Sequence, residues 1–419
     1  MAKKKNTNEI DFDEFCLHIA NQTGGDVLDK LDTVKFFIDT GNLAINHSCS
    51  GKYINGGVPA GRIIEFYGPE ASGKTLIGSN VLAGTQRIKG WSILLDCENA
   101  SNKDFMEKVS HVDAKKIIRY TPPTLEVAFR TINESVNKIR EYEKAKKLDP
   151  MPITILYDSL TVSPCERELR ENNLPIDYNP ADWKKIVGRQ EQPGERAKII
   201  SGALRKLQSM VVEKDVTVVF INQTRDKIGV LYGSPETIPG GNSMKYYASL
   251  RVRTATKKKI EHSKLKTFCG VNMQVKNIKN RMFKPFVVAD EVKLYFENGI
   301  DPISGILNCL IEDGRIIAAK KAGSYTVAED YLPEGVEEYK FSALKANNTV
   351  DKKVLLDCPK LIDAESTEQV QEYLDFWGSG LAASESGQYE EKPVAFDSDG
   401  NPLEIESPED YEDDAESEE

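Results

Sequence analysis

The sequence predicts an α/β protein: a doubly wound, mostly parallel sheet, preceded by a short helical region and followed by a small mixed domain and a disordered acidic tail. Three observations predict it. Between residues 61 and 292 apolar strand candidates alternate with helical patterns, the rhythm of a parallel sheet covered on both faces. A glycine-rich turn, Gly68-Pro69-Glu70-Ala71-Ser72-Gly73-Lys74-Thr75, falls directly between a strand candidate and a helix candidate. Finally, the acidic charge is concentrated at the C-terminal end.

In chain order, Phe12, Phe15, Cys16 and Ile19 recur at helical spacing and predict a short amphipathic helix. Residues 62–67, 92–96, 153–157 and 216–221 are apolar runs bounded by turn or charged residues, as buried strands are. Residues 76–89, 125–147 and 196–214 carry the helical pattern between them. Two further strands, 250–256 and 272–280, flank the lysine-rich stretch 257–266, which predicts a hairpin with a basic tip. Asn298-Gly299-Ile300-Asp301-Pro302 marks a boundary. The expected division is 1–45, 46–297, 298–381 and 382–419.

The last segment sets the net charge. Residues 385–419 hold 15 Asp and Glu against Lys392 alone and carry −14, whereas the whole 419-residue chain carries −11. The body before Glu385 is therefore +3, and the pI of 5.2 describes the tail. Low in aliphatic and rich in acidic residues, that tail is expected to be disordered. Lys3, Lys4 and Lys5 precede a polar stretch and no apolar run, so no secretory signal is expected. No run of about 18 apolar residues suggests a membrane span. Seven scattered cysteines without a C-x-x-C pair suit a reducing cytoplasm and no zinc site. If a phage encodes the chain, that is the host cytoplasm.

Gly68 to Thr75 matches G-x-x-x-x-G-K-[ST]. Glycines let such a loop wrap so that several backbone N–H groups face a polyphosphate at a helix N-terminus, where the helix dipole also favours negative charge. Lys74 then reaches the β- and γ-phosphates of a nucleotide such as ATP, and the Thr75 hydroxyl coordinates Mg²⁺. Residues 153–157 end in Asp158, the form of a second metal-supporting strand, although apolar strands also end in Asp at ordinary turns. Glu98 follows another strand end at Asp96-Cys97. It is placed either to orient or deprotonate a water or simply to cap the next helix.

Together with the P-loop, one string of residues is telling. Phe220-Ile221-Asn222-Gln223-Thr224-Arg225-Asp226-Lys227-Ile228-Gly229-Val230 continues through Pro235-Glu236-Thr237 to Gly240-Gly241-Asn242 and Lys245-Tyr246-Tyr247-Ala248-Ser249. It resembles the second DNA-binding loop, with its flanks, of the RecA recombinase family and its phage relatives. The resemblance covers roughly residues 34–325 and implies a RecA-type P-loop NTPase core at 46–297, an N-terminal oligomerisation region at 1–45 and a small C-terminal domain at 298–381. It implies that Gly68 to Thr75 hold ATP, that Thr75 and Asp158 serve Mg²⁺, that Glu98 is the catalytic base and that Gln223 senses the γ-phosphate. Lys279 and Arg281 match the pair of cations that reach into a neighbouring subunit's nucleotide.

For DNA, the resemblance implies contacts from Lys198, Arg225, Lys227, Gly240, Gly241 and Asn242 to a single strand. Lys257, Lys258, Lys259 and Lys276 would hold the incoming duplex. The implied activity is DNA-dependent ATP hydrolysis by a helical filament of the chain's own copies on single-stranded DNA, with homologous pairing and strand exchange. A single-strand-binding protein or a loader protein is a further expected partner, and no membrane. The chain departs from the family pattern at Ala255, Thr256 and Gln274, where family arginines are missing, and in a lengthened first DNA loop at 164–194 containing Tyr178 and Trp183. That loop either stacks on bases or binds a loader. Rival readings are a hexameric helicase or translocase on the same core and a regulator that only binds ATP.

Overall fold

The computed structural model describes residues 12–24, 34–166, 195–226, 236–237, 243–262, 266–343, 348–378, 389–393, 395–396 and 402–403. The chain divides into two compact units, Met1–Lys35 and Phe36–Glu419. In the first, α1 (Phe12–Thr23) forms where the apolar spacing predicts it, and Phe12, Phe15 and Ile19 are exposed along it.

The second unit opens with β1 (Phe37–Ile38), α2 (Leu43–Ser50) and β2 (Val58–Pro59), then β3 (Ile63–Gly68), α3 (Lys74–Arg87) and β4 (Trp91–Asp96). Next come α4 (Lys103–Ser110), β5 (Ile117–Tyr120), α5 (Leu125–Lys146) and β6 (Ile153–Asp158). They are followed by α6 (Glu195–Glu213), β7 (Val216–Gln223), the short strands β8 (Arg225–Asp226) and β9 (Glu236–Thr237), and α7 (Ser243–Tyr247). Three longer strands, β10 (Leu250–His262), β11 (Phe268–Asn280) and β12 (Val288–Tyr295), precede β13 (Gly299–Ile300).

Among the described residues the main sheet runs β13-β12-β11-β10-β3-β7-β6-β4-β5. From β10 to β5 all pairs are parallel, and beyond β10 the pairing is antiparallel. Side chains alternate across the parallel strands. Ile64, Phe66, Val219 and Ile221 join α2 and α3 in one core, while Ile63, Val218 and Phe220 join α5, α6 and Met244 in another. Two buried faces explain why these strands read as mostly apolar runs.

The C-terminal elements are α8 (Ile306–Glu312), a three-stranded antiparallel sheet of β14 (Ile316–Ala318), β15 (Ser324–Val327) and β16 (Lys340–Ser342), then α9 (Lys352–Asp357) and α10 (Thr367–Trp377). Their apolar residues, down to Trp377, belong to the same core as α2 and α3. Trp377 Nε1 donates to Asp39 Oδ2 at 3.0 Å, and the Arg87 guanidinium lies 4.6 Å from the Phe376 ring centroid.

The hairpin differs from its expected form. Lys257, Lys258 and Lys259 do not sit at a tip, because β10 continues through them to His262 and β11 pairs with it as far as Phe268. The reason is pairing on both edges. Where β3 ends opposite Arg253, β17 (Tyr389–Pro393) adds antiparallel along Lys258 to His262. Cross-strand bonding overrides the weak strand preference of lysine. Within the acidic tail, Ala395–Phe396 also pairs with Pro402–Leu403.

Candidate nucleotide and nucleic-acid site

The turn between β3 and α3 is built by two glycines and a neighbouring strand. Gly68 has φ 155°, and a Cβ there would meet the Thr254 carbonyl oxygen at 2.1 Å. Gly73, at φ 79°, starts α3, and a Cβ there would lie 2.4 Å from Met273 Sδ. From β10, Thr254 Oγ1 and Ser72 Oγ share a hydrogen bond of 2.7 Å, and Thr256 Oγ1 donates to the Ala71 carbonyl at 3.1 Å. Neither threonine carries a motif signature, and the sequence, which marks Thr256 only as a missing family arginine, does not disclose that both brace this loop. Pro69, Glu70 and Ala71 form the crest, with Ser72 Oγ donating to the Pro69 carbonyl at 2.8 Å.

Lys74 is buried, and its ammonium donates to the Pro69 carbonyl and, at 3.3 Å, to Ser72 Oγ. Burial pulls its pKa down to about 8, opposed by the charges of Asp158, Glu70 and Glu98. Thr75 Oγ1 donates to Asp158 Oδ2 at 2.8 Å. Burial pushes Asp158 up to about 6; the Thr75 hydrogen bond opposes this, and the Glu98 and Asp96 charges add to it. The fold thus desolvates one cation and one anion at the same turn, at a cost in free energy.

The two carboxylates after β4 have different partners. Asp96 is held below the usual carboxylate range: burial acts against this but is outweighed by Arg119 and by donors at Ser101 and Ala100. Arg119 Nη2 donates to it at 2.7 Å and to Asn99 Oδ1 at 2.7 Å. Glu98 instead accepts from Ser159 Oγ at 2.7 Å, immediately after Asp158 on the adjacent strand end. Gln223 is the register partner of Gly68 across β3 and β7, and the next residue, Thr224, donates its N–H to the Gly68 carbonyl at 3.1 Å. Lys74, Thr75, Asp158, Glu98 and Gln223 therefore converge on one end of the sheet.

Lys279 and Arg281 lie elsewhere. Lys279 Nζ donates to the carbonyls of Lys245 at 2.7 Å and Tyr246 at 3.2 Å, and Arg281 Nη2 to Tyr246 at 3.3 Å, all at the C-terminal end of α7. Burial and the neighbouring charges of Arg281 and Arg251 hold the Lys279 ammonium below its usual pKa.

Of the expected DNA contacts, Lys198 is exposed on α6, where a groove of 570 Å³ against α5 is lined by Phe129, Arg130, Lys198 and Lys206. Lys257 pairs with Asp290 at 2.7 Å, and Lys259 Nζ lies 4.8 Å from the Phe268 ring centroid. Lys276 is half-buried within β11. Lys227, Gly240, Gly241 and Asn242, the side chain of Arg225 and most of the lengthened first loop lie outside the described residues. No group of three or more His, Cys, Asp or Glu suited to a metal occurs among the described residues, and none of their helices is long and apolar enough to cross a membrane.

Comparison with known proteins identifies relatives of the chain as a whole. The model of the RecA N-terminal domain family matches residues 18–139 and 185–301. The chain is 30% identical over 305 residues to Protein RecA of Thermus thermophilus, covering 72% of this chain and 78% of that one. It is 30% identical over 367 residues to Protein RecA of Pseudarthrobacter chlorophenolicus, covering 87% and 88%. Against Protein RecA of Paenarthrobacter aurescens the identity is 32% over 304 residues, covering 72% and 76%.

Proposed function

The chain belongs to the RecA family, and from that membership we propose that it is an ATP-dependent DNA recombinase. It assembles as a helical filament on single-stranded DNA, pairs that strand with a homologous duplex and exchanges strands in recombination and repair. The observation that carries this reading is the register of Gly68 with Gln223. Gly68 ends the strand before the proposed nucleotide loop and Gln223 ends the strand that runs into the proposed DNA loop, which supports ATP and DNA acting at one end of the sheet.

Each residue has a task in ATP hydrolysis to ADP and phosphate. Backbone N–H groups from Gly68 to Thr75 and the start of α3 receive the phosphates, and Lys74 neutralises charge on the β- and γ-phosphates. The hard oxygens of Thr75 and Asp158 suit Mg²⁺, which when bound supplies charge neutralisation to the phosphates. Glu98, held by the Ser159 hydroxyl, takes the proton of the water whose oxygen attacks the γ-phosphorus as the bond to the β-phosphate oxygen breaks. Gln223 reports the γ-phosphate to Arg225, Lys227 and Gly240 to Asn242. Lys279 and Arg281 act in a neighbouring subunit's site as cationic fingers. Lys198 serves the single strand, and Lys257, Lys258, Lys259 and Lys276 the incoming duplex. The acidic tail competes with that duplex, and the protein works in a cytoplasm.

Electron microscopy of the protein with ATP and single-stranded DNA tests the reading directly. Helical filaments that require ATP are expected. Closed rings, or no assembly at all, would refute it.

A further inference from the structure

A charged network crosses the face of the sheet that packs on α5, α6 and α7. Glu65 in β3 is fully buried among apolar neighbours, and its Oε2 pairs with Nε of Arg251 in β10, itself buried. Its Oε1 accepts from Asn222 Nδ2 at 2.7 Å, in β7 and one residue before Gln223. Thr161 Oγ1 donates to Asn222 Oδ1 at 3.3 Å and accepts the Gln223 N–H at 3.2 Å. On the other side, Arg251 is the register partner of Lys279. Its guanidinium also lies 4.7 Å from the ring centroid of Tyr67, the residue before Gly68.

Packing alone does not account for such a pair. Two ions withdrawn from water usually stabilise a fold no better than apolar residues of the same volume, so a buried pair at this central position points to another role. This one touches, through single residues, the strand feeding the P-loop, the strand ending in Gln223 and the strand that carries Lys279 and ends just before Arg281. Asn222, Glu65 and Arg251 project to the face opposite the P-loop helix α3, so their effect on the nucleotide passes through backbone and through Thr161.

We infer that Glu65, Arg251 and Asn222 are positioning residues that couple the two nucleotide contacts of one subunit: its own γ-phosphate, sensed at Gln223, and its neighbour's nucleotide, met by Lys279 and Arg281. A shift of Lys279 towards a neighbour's phosphate changes what faces Arg251, and Glu65 passes that change to Asn222 and hence to Gln223. The inference rests on the roles proposed above for Gln223, Lys279 and Arg281. It adds the route by which they are linked within one chain.

The test uses two variants and a control in the full-length protein. Glu65→Met with Arg251→Leu replaces the pair by apolar volume, and Asn222→Ala leaves the pair but cuts its link to Gln223. For each, thermal unfolding, nucleotide affinity without DNA, and the Hill coefficient for ATP in DNA-dependent hydrolysis are measured. The expected result is unfolding and DNA-free nucleotide affinity near those of the parent, with cooperativity reduced to a Hill coefficient near 1. A folded variant of either kind that keeps the parental Hill coefficient overturns the inference, and if the double variant does not fold, Asn222→Ala decides. Lys279→Ala and Arg281→Ala provide the control. If they leave hydrolysis in the filament unchanged, the finger roles themselves fail, an outcome distinct from failure of the link.

Discussion

The P-loop end of the sheet and the hairpin beside it handle positive charge in opposite ways. At the first, Lys74 is buried, held by a carbonyl and a hydroxyl, and pulled down to about 8 by desolvation. At the second, Lys257, Lys258 and Lys259 follow one another along β10 and remain partly accessible, with Asp290 and the Phe268 ring as neighbours. A desolvated cation in a fixed cradle selects one ligand geometry. A row of accessible cations attracts any phosphate backbone, and does so less as salt rises. On the function proposed above, one chain uses the same side chain for chemistry at one end and for sequence-indifferent adhesion at the other.

The largest test of this contrast is Lys74→Ala. DNA-dependent ATP hydrolysis should fall by about 100-fold or more, measured at steady state, and retention of activity within tenfold would break the comparison on the chemical side. Next in size is the replacement of Lys257, Lys258 and Lys259 by alanine. The slope of log affinity for duplex DNA against log salt should shrink, while the KM for ATP stays unchanged. An altered KM with an unchanged slope would mean that the hairpin lysines serve the nucleotide.

A smaller effect is expected from ending the chain before Glu385. Because β17 lies along Lys258 to His262, its removal should ease duplex uptake at low salt and make little difference at high salt. Uptake that is unchanged at low salt would show that the tail does not compete there. Smallest is Thr254→Val, which removes the hydroxyl shared with Ser72. The KM for ATP should rise about fivefold, the equivalent of about 1 kcal/mol for one hydrogen bond, and DNA affinity in its absence should not move.

What the sequence discloses divides along the same line. The nucleotide loop is legible because its spacing encodes backbone geometry, and the strand expected at 62–67 is found at Ile63–Gly68. Strand β5, Ile117–Tyr120, escapes because it is short, half-buried and interrupted by exposed Arg119. Local composition assigns the hairpin lysines to a tip, whereas pairing on both edges extends the strands. Ser159 as the partner of Glu98 is invisible, since the two residues are 61 positions apart and meet only because β4 and β6 are neighbours. Gln223 and Lys279 carry no local signal at all and are found through resemblance. Glu65 does leave a trace, a lone charge inside an apolar strand, but its partners Arg251 and Asn222 are distant in sequence and only the fold supplies them.

Strand β10 is continuous from the threonines that brace the nucleotide loop to the lysines of the hairpin. It therefore acts as a ruler. Five straight strand steps from Thr254 to Lys259 would span about 17 Å, and the register shift between Thr256 and Lys258, where β10 carries one residue more than β11, shortens that reach. The stretch just beyond Thr256 is thus where the reach from the nucleotide loop to the hairpin lysines is set.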